Sequence, residues 1–298
     1  MGMGIILGVL TAFLQAGSYL CSANFNAKHK SPWHLLIFSQ LAMGVISLVL
    51  LPFFFPVTLL AKWQTLLWLL LLWGVLFFLG QLGLFLAQTQ IPTSCLGSLL
   101  GLKLLVLAAI WILALRQHLN YLQILGIALA TAAALLINKG GGFKITLRGW
   151  LYLLMTLVFY CLADILETHL TLMIGSGNAV LDGVAMALIC YSFGGIIMVP
   201  VLALVKWNWS EQKSALPFGI AWLLSQMTLL GCFALLNPLF GNVIVSMRGV
   251  LSLLLGALVC KLGFTQLDAP ADQKVWLRRA AGALLMIGGV IAYNMGSR

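Results

Sequence analysis

One apolar stretch, Ile91–Leu115, is long enough to cross a lipid bilayer as a single helix, which needs about 20 apolar residues. Its only charged residue before the polar end is Lys103, at the middle. At a rise of about 1.5 Å per residue, Lys103 lies roughly 18 Å from either end. A lysine side chain cannot reach water over that distance, so its ammonium group must face a partner, a ligand or a water-filled cavity.

A second intramembrane charge, Arg248, lies within the apolar stretch Phe240–Leu262. A shift of 145 residues along the sequence (248 minus 103) places Lys103 on Arg248, and the same shift places Gln81 on Gln226. The pattern indicates an internal repeat with one basic residue in each half, directed at a common site.

The composition indicates an all-α integral membrane protein with many spans. Hydrophobic residues make up 62% of the chain and charged residues 7%, against about 25% charged in soluble domains. A soluble protein could not bury that much apolar surface. The net charge of +10 comes mostly from Lys and Arg in short loops, where it reports membrane orientation and predicts no nucleic-acid partner.

The hydropathy pattern predicts ten transmembrane helices, arranged as two five-helix repeats over residues 1–139 and 140–298, with the seam at Gly140–Gly142. An odd number of spans in each half inverts one half relative to the other, as in many transporters. The predicted spans are Met3–Asn24, Trp33–Phe55, Gln64–Ala87, Ile91–Leu115, Leu119–Asn138, Trp150–Leu172, Val180–Val205, Ala215–Leu236, Phe240–Leu262 and Val275–Met295.

The distribution of basic residues predicts the orientation. Of the 16 Lys and Arg residues, two lie inside spans, three (Lys62, Arg116 and Arg298) fall on one side, and the remaining eleven fall on the other. Because basic loops stay in the cytoplasm, both termini are expected outside. The expected location is the plasma membrane, which in a bacterium is the inner membrane.

The run Leu115–Asn138, LRQHLNYLQILGIALATAAALLIN, is similar to the segment "lgErlsllqllGaaLilaGvlli" of EamA-type members of the drug/metabolite transporter superfamily. Gln117 stands where that family usually has Glu, and Lys103 falls near its usual intramembrane Pro. The resemblance implies a ten-span transporter with inverted repeats.

Intramembrane basic residues on the fourth and ninth spans also resemble the triose-phosphate translocator branch, in which such residues bind a phosphate or carboxylate. That branch pairs a Gly-Asn with a Lys-Arg in the ninth span. Here Gly241-Asn242 precedes Arg248 by a wider gap, and no Lys accompanies the arginine. The resemblance is therefore one of position and chemistry.

Four residues are candidates for substrate binding: Lys103, Arg248, Gln81 and Gln226. An arginine offers a planar fork and a lysine a point charge to a carboxylate or phosphate. The alternative is structural, with each basic residue locking helices together through an acidic partner, but the chain holds only six Asp and Glu residues.

Asp164 and Glu167 lie three residues apart in the sixth predicted span, hence on one helix face. Asp164 could carry protons, bind an amine or pair with Arg248. Glu167 is expected nearer the membrane interface, in a structural role. Together they are the candidates for proton coupling or charge balance.

The sequence as a whole predicts a secondary transporter that moves a small organic metabolite bearing a carboxylate or phosphate, by alternating access with proton coupling or exchange. The first alternative is a broad-specificity exporter of amino acids or amphipathic drugs. An intramembrane enzyme or a lipid-handling subunit is a less favoured alternative. No enzyme motif is visible, so no catalytic residue, metal or cofactor is expected. The expected partners are the small-molecule substrate and membrane lipid, and the protein is expected to be a monomer or a homodimer.

Overall fold

The computed structural model describes residues 1–114, 116, 118–138, 145–261 and 273–296, and every regular element in these residues is helical. Short 3₁₀ helices lie at Val57–Lys62 and Leu100–Leu102. The α-helices are α1 (Gly2–His29), α2 (Pro32–Phe54), α3 (Trp63–Gln88), α4 (Thr93–Leu99), α5 (Lys103–Leu113), α6 (Tyr121–Asn138), α7 (Leu147–Leu172), α8 (Ala179–Leu202), α9 (Trp209–Leu236), α10 (Pro238–Val245), α11 (Arg248–Lys261) and α12 (Gln273–Gly296).

Eight helical segments within the described ranges are long and apolar enough to cross a membrane, which indicates a membrane-embedded protein. Six of them correspond to α1, α2, α3, α7, α8 and α9, and two to the segments Cys95–Leu113 and Pro238–Gly256. The two other predicted spans correspond to α6 and α12, whose apolar runs are shorter. The seam at Gly140–Gly142 lies outside the described residues.

Helices α1 and α9 pack against each other in antiparallel directions. Gly4, near the start of α1, lies against Leu236 at the end of α9. At the opposite end of the pair, His29 Nε2 lies 3.0 Å from Ser214 Oγ. Contacts at both ends mean that the two helices run alongside each other for most of their length.

Helices α3 and α7 form a second antiparallel pair. Trp73 Nε1 donates a hydrogen bond to Glu167 Oε1 at 2.6 Å, and Thr146, which caps α7, donates to Gln90 just beyond the end of α3 at 3.3 Å. A shift of about 145 residues along the sequence places α1 on α7 and α3 on α9. The pair of α3 and α7 is therefore the repeat counterpart of the pair of α9 and α1.

Two further pairs join the N-terminal helices to the C-terminal helices. Helices α6 and α12 are antiparallel, because Asn120 lies at Gly296 while Gly126 lies at Gly289. Helices α2 and α8 cross closely at Gly44, where an added Cβ would lie only 2.5 Å from Gly195 Cα. Small residues permit such backbone approach, which matters in lipid because no hydrophobic drive brings helices together there.

The segment around each intramembrane basic residue is long and apolar enough to cross a membrane, as the sequence predicted, but its helix is irregular near the middle. The 3₁₀ helix Leu100–Leu102 separates α4 from α5, and a turn at Ser246 and Met247 separates α10 from α11. Lys103 is the first residue of α5, and Arg248 is the first residue of α11. Both basic side chains therefore start from an interruption in a helix, and such interruptions often mark functional positions.

The two ends of the bundle differ in charge and in the contacts that close them. At one end, where α1 ends and α9 begins, His34 Nδ1 lies 2.5 Å from Glu211 Oε2. At the other end, Lys62 Nζ donates to the backbone carbonyl of Met173 at 3.4 Å. The first end holds the described basic residues Lys28, Lys30, Arg148, Lys206 and Lys213, and the second holds Lys62 and Arg116. Arg298 lies outside the described residues.

Candidate functional site

A small cavity within the helix bundle brings together residues from α1, α3, α5, α7, α9 and α11, and its volume of about 20 Å³ has room for about one water molecule. Its polar wall includes Lys103, Asp164, Glu167 and Arg248. These four charged side chains come from both halves of the sequence and meet at one place. Each is nearly covered, with 5% of Lys103, Asp164 and Arg248 exposed and 2% of Glu167.

Lys103 is paired with Asp164. Its Nζ donates to Asp164 Oδ2 at 2.6 Å, and the Nδ2 of Asn242 on α10 donates to the same oxygen at 2.7 Å. Asn242 also donates to the carbonyl of Pro238 at 2.9 Å, which holds its amide in place. The partner of Asp164 is thus Lys103, and of the three alternatives the pairing with Arg248 is not observed.

Arg248 has a different environment. Its Nη1 donates to Gln15 Oε1 at 2.7 Å, and its Nη2 donates to the carbonyl of Leu100 at 3.0 Å. Both acceptors are neutral. The buried Nε has no hydrogen-bond partner among the described residues. Since an unpaired charge is expensive to bury, this guanidinium has unused capacity for an anion.

The interruption at Leu100–Leu102 supplies one of these acceptors. A 3₁₀ segment holds its carbonyls at a different tilt from an α-helix, and the Leu100 carbonyl accepts a hydrogen bond from Arg248. The arginine of the ninth predicted span thereby contacts the break in the fourth. The two interrupted segments are joined directly beside the cavity.

Glu167 is buried inside the helix bundle. It is buried on the cavity wall, where Trp73 Nε1 donates to its Oε1 at 2.6 Å. The expectation of a position near the interface was based on its distance from the end of α7. Burial instead comes from α3, which packs along that face and places Trp73 against the carboxyl group.

The two glutamines that the repeat pairs have different positions. Gln226 lines the cavity. Gln81 is fully buried, and its Oε1 accepts a hydrogen bond from the hydroxyl of Tyr160, which is a cavity residue. Gln81 therefore orients a wall residue, and its Nε2 has no partner among the described side chains.

Aromatic rings form an apolar wall beside the charged groups. Phe77 and Tyr160 are stacked with ring centroids 6.3 Å apart, and Tyr160 lies 5.9 Å from Trp222 with the planes tilted by 32°. All three line the cavity. Lys103 Nζ lies 5.5 Å from the Tyr160 ring centroid, where a cation interacts favourably with the π face.

Gln15 and Asn242 are site residues that the sequence did not single out for these roles. The internal repeat could have indicated Gln15. The shift of 145 residues places Gln15 on Tyr160 and Tyr19 on Asp164, so α1 carries polar side chains where α7 carries site residues. Tyr19 is buried, and its hydroxyl has no partner among the described residues.

The arrangement can hold an anion next to an apolar surface. It combines a neutralised cation, Lys103, with an arginine that contacts only neutral acceptors. Within the described ranges, no group of three or more His, Cys, Asp or Glu side chains is placed to hold a metal ion.

Comparison with known proteins adds a likeness of fold. No family model matches the chain, and no curated protein matches it. Among solved structures, 28 chains match. One of them, described as "Crystal structure of protein", covers 97% of this chain and 94% of its own length with a TM-score of 0.59 and 16% identity. At that identity the likeness concerns the fold alone.

Proposed function

We propose that the protein is a secondary transporter of a small organic anion, working by alternating access between two inverted five-helix halves. In this proposal α4 with α5, and α10 with α11, each form one interrupted span, and α6 and α12 complete the ten. The antiparallel pairing of α1 with α9 and of α3 with α7 supports the inversion. Interrupted helices facing a central site are typical of secondary transporters.

The observation that carries the proposal is the environment of Arg248. Its guanidinium is 5% exposed, donates only to Gln15 and the Leu100 carbonyl, and has an Nε–H without a partner. A well-packed apolar residue would usually serve stability as well as a buried charge does. A bound carboxylate or phosphate would offset the cost of burial and would explain why the charge is kept at this place.

The other residues have supporting roles in the proposal. Lys103 holds Asp164 in the cavity wall, Gln226 offers an uncharged polar contact, and Gln81 orients Tyr160. Asp164 balances Lys103 and is the candidate proton carrier, because it is a buried carboxyl that a proton would release from its partner. Glu167 shares the charge balance from its place beside Trp73.

A thermal-shift screen of the purified protein against carboxylated, phosphorylated and cationic metabolites tests this function. A ligand at about 100 times its Kd stabilises the folded protein by about 2.7 kcal/mol. Anions should stabilise the wild type, and Arg248→Gln should weaken their binding by about 10- to 100-fold, because each charge-assisted hydrogen bond contributes about 1.5–3 kcal/mol. Arg248→Lys should recover only part of the loss, since an ammonium lacks the planar fork.

Arg148→Gln is the matched control, because it removes an exposed arginine at the start of α7, away from the cavity. It should bind anions as the wild type does. An Arg248→Gln protein that is folded and binds anions with wild-type affinity would refute the proposed site.

A broad exporter of amino acids or amphipathic drugs is the second candidate function. The observation that favours it is the aromatic wall of Phe77, Tyr160 and Trp222 beside a carboxyl group, Glu167, that no described cation neutralises directly. Cationic amphiphiles should then stabilise the protein in the same screen, and Glu167→Gln, not Arg248→Gln, should abolish the effect.

The proposal places the chain in the plasma membrane, the inner membrane of a bacterium, with both termini outside. The basic end of the bundle, where α1 ends and α9 begins, then faces the cytoplasm.

A further inference from the structure

The charges on the cavity wall are not equivalent, and the difference bears on which anion the proposed transporter accepts. Lys103 donates to Asp164 at 2.6 Å, so its charge is already compensated within the protein. Arg248 contacts no carboxylate among the described residues. One cation of the pair is therefore available to a ligand, and the other is not.

A second negative charge on the ligand would find no partner in this arrangement. Lys103 could reach it only by leaving Asp164, and that carboxylate would then be buried with Asn242 as its remaining donor. Glu167 adds another carboxyl to the same wall. Because each uncompensated buried charge is costly, a dianion should bind less well than a monoanion.

The apolar part of the cavity constrains the rest of the ligand. Phe77 and Tyr160 are stacked at an interplanar angle of 26°, and Tyr160 and Trp222 are tilted by 32°. All three rings line the cavity beside the charged groups. An apolar ligand body gains contacts with aromatic rings of this kind.

We infer that the cavity selects substrates with a single carboxylate on a small apolar body, with the carboxylate on Arg248 and with Asp164 excluding dianions by holding Lys103. This inference rests on the proposed transport function and specifies its substrate class. Asp164 is then a specificity-determining residue that acts through Lys103.

Isothermal titration of the purified protein in detergent tests the inference with three aromatic probes: phenylacetate, phenylsuccinate and phenyl phosphate. The first carries one carboxylate, the second two, and the third a phosphate that is mostly dianionic at pH 7.5. Phenylacetate should bind at least about tenfold more tightly than either dianion.

Asp164→Asn provides the decisive change. It frees the Lys103 ammonium, so the preference for phenylacetate over phenylsuccinate should fall by about tenfold or reverse. Asp182→Asn is the matched control, because Asp182 is also buried but lies at the start of α8 and accepts a hydrogen bond from Ser176 N outside the cavity. It should keep the wild-type preference.

A second comparison keeps the test decisive if Asp164→Asn does not fold. Lys103→Gln leaves Asp164 as an uncompensated negative charge beside Arg248, and phenylacetate binding should weaken. The double variant Lys103→Gln with Asp164→Asn removes that charge together with its partner and should bind phenylacetate more tightly than Lys103→Gln does. Equal or weaker binding by the double variant would overturn the inference.

The results also separate this inference from the proposed function. If the wild type binds phenyl phosphate or phenylsuccinate as tightly as phenylacetate, in an Arg248-dependent manner, the monoanion selectivity is wrong while the anion transporter stands. If no anion binds, both are wrong.

Discussion

The crossing of α2 and α8 at Gly44 and Gly195 predicts a large effect from a single methyl group. A Cβ added to Gly44 would lie 2.5 Å from Gly195 Cα, and a Cβ added to Gly195 would lie 2.5 Å from Gly44 Cα. Carbon atoms in ordinary contact are about 3.5–4.0 Å apart. The two backbones would therefore have to separate by about 1–1.5 Å, because neither atom can rotate away.

The magnitude follows from two opposing effects. Overpacking of this kind costs about 1–3 kcal/mol, whereas replacing Gly by Ala inside a helix gains about 0.5–1 kcal/mol. Gly44→Ala should thus lower the free energy of unfolding by about 1–2 kcal/mol. Gly17→Ala is the matched control, since its Cβ would meet no atom within 4 Å, and it should leave stability unchanged or raise it by up to about 0.5–1 kcal/mol.

Unfolding of the purified variants by sodium dodecyl sulfate in mixed micelles, followed by circular dichroism, measures the difference. Gly195→Ala should reproduce the loss seen for Gly44→Ala, because the same close approach is filled from the other side. If Gly44→Ala proves as stable as Gly17→Ala, the close approach of α2 and α8 is wrong.

Two other predictions concern topology and coupling. A periplasm-sensitive reporter fused after Arg298 should be active, because the excess of basic residues places that terminus outside, and cytoplasmic reporter activity would reverse the orientation. Asp164→Asn should abolish proton-driven uptake by proteoliposomes while leaving substrate exchange intact, because an asparagine in the place of the carboxyl group that pairs with Lys103 cannot gain and lose a proton. Uptake that still follows the proton gradient would exclude Asp164 as the proton carrier.

The positions of the helices could be predicted from the sequence because each apolar run is long and bounded by turn-forming residues. The interruptions before Lys103 and Arg248 could not be predicted. A 3₁₀ turn inside a uniformly apolar run changes neither hydropathy nor its periodicity, and the Leu100 carbonyl is turned towards a residue far along the chain.

The meeting of Lys103, Arg248 and Asp164 in one cavity was predictable, because intramembrane charges seek each other or a polar space. The sequence could not predict which of the two cations pairs with Asp164, since the pairing depends on how α5 and α11 are placed relative to α7. The burial of Glu167 could not be predicted for a similar reason. Distance along a helix measures depth in the membrane and says nothing about a neighbour such as α3, which covers the side chain from one side.

The correspondence of Tyr19 with Asp164 has a consequence for a cycle in which the halves exchange conformations. Two identical halves would make the inward-facing and outward-facing states equivalent by a two-fold rotation and therefore equal in energy. Here the second half brings the Asp164 carboxylate to Lys103, whereas the first half brings only the neutral amide of Gln15 to Arg248. The two resting states then differ in free energy even without a gradient, so an empty carrier would spend most of its time facing one particular side.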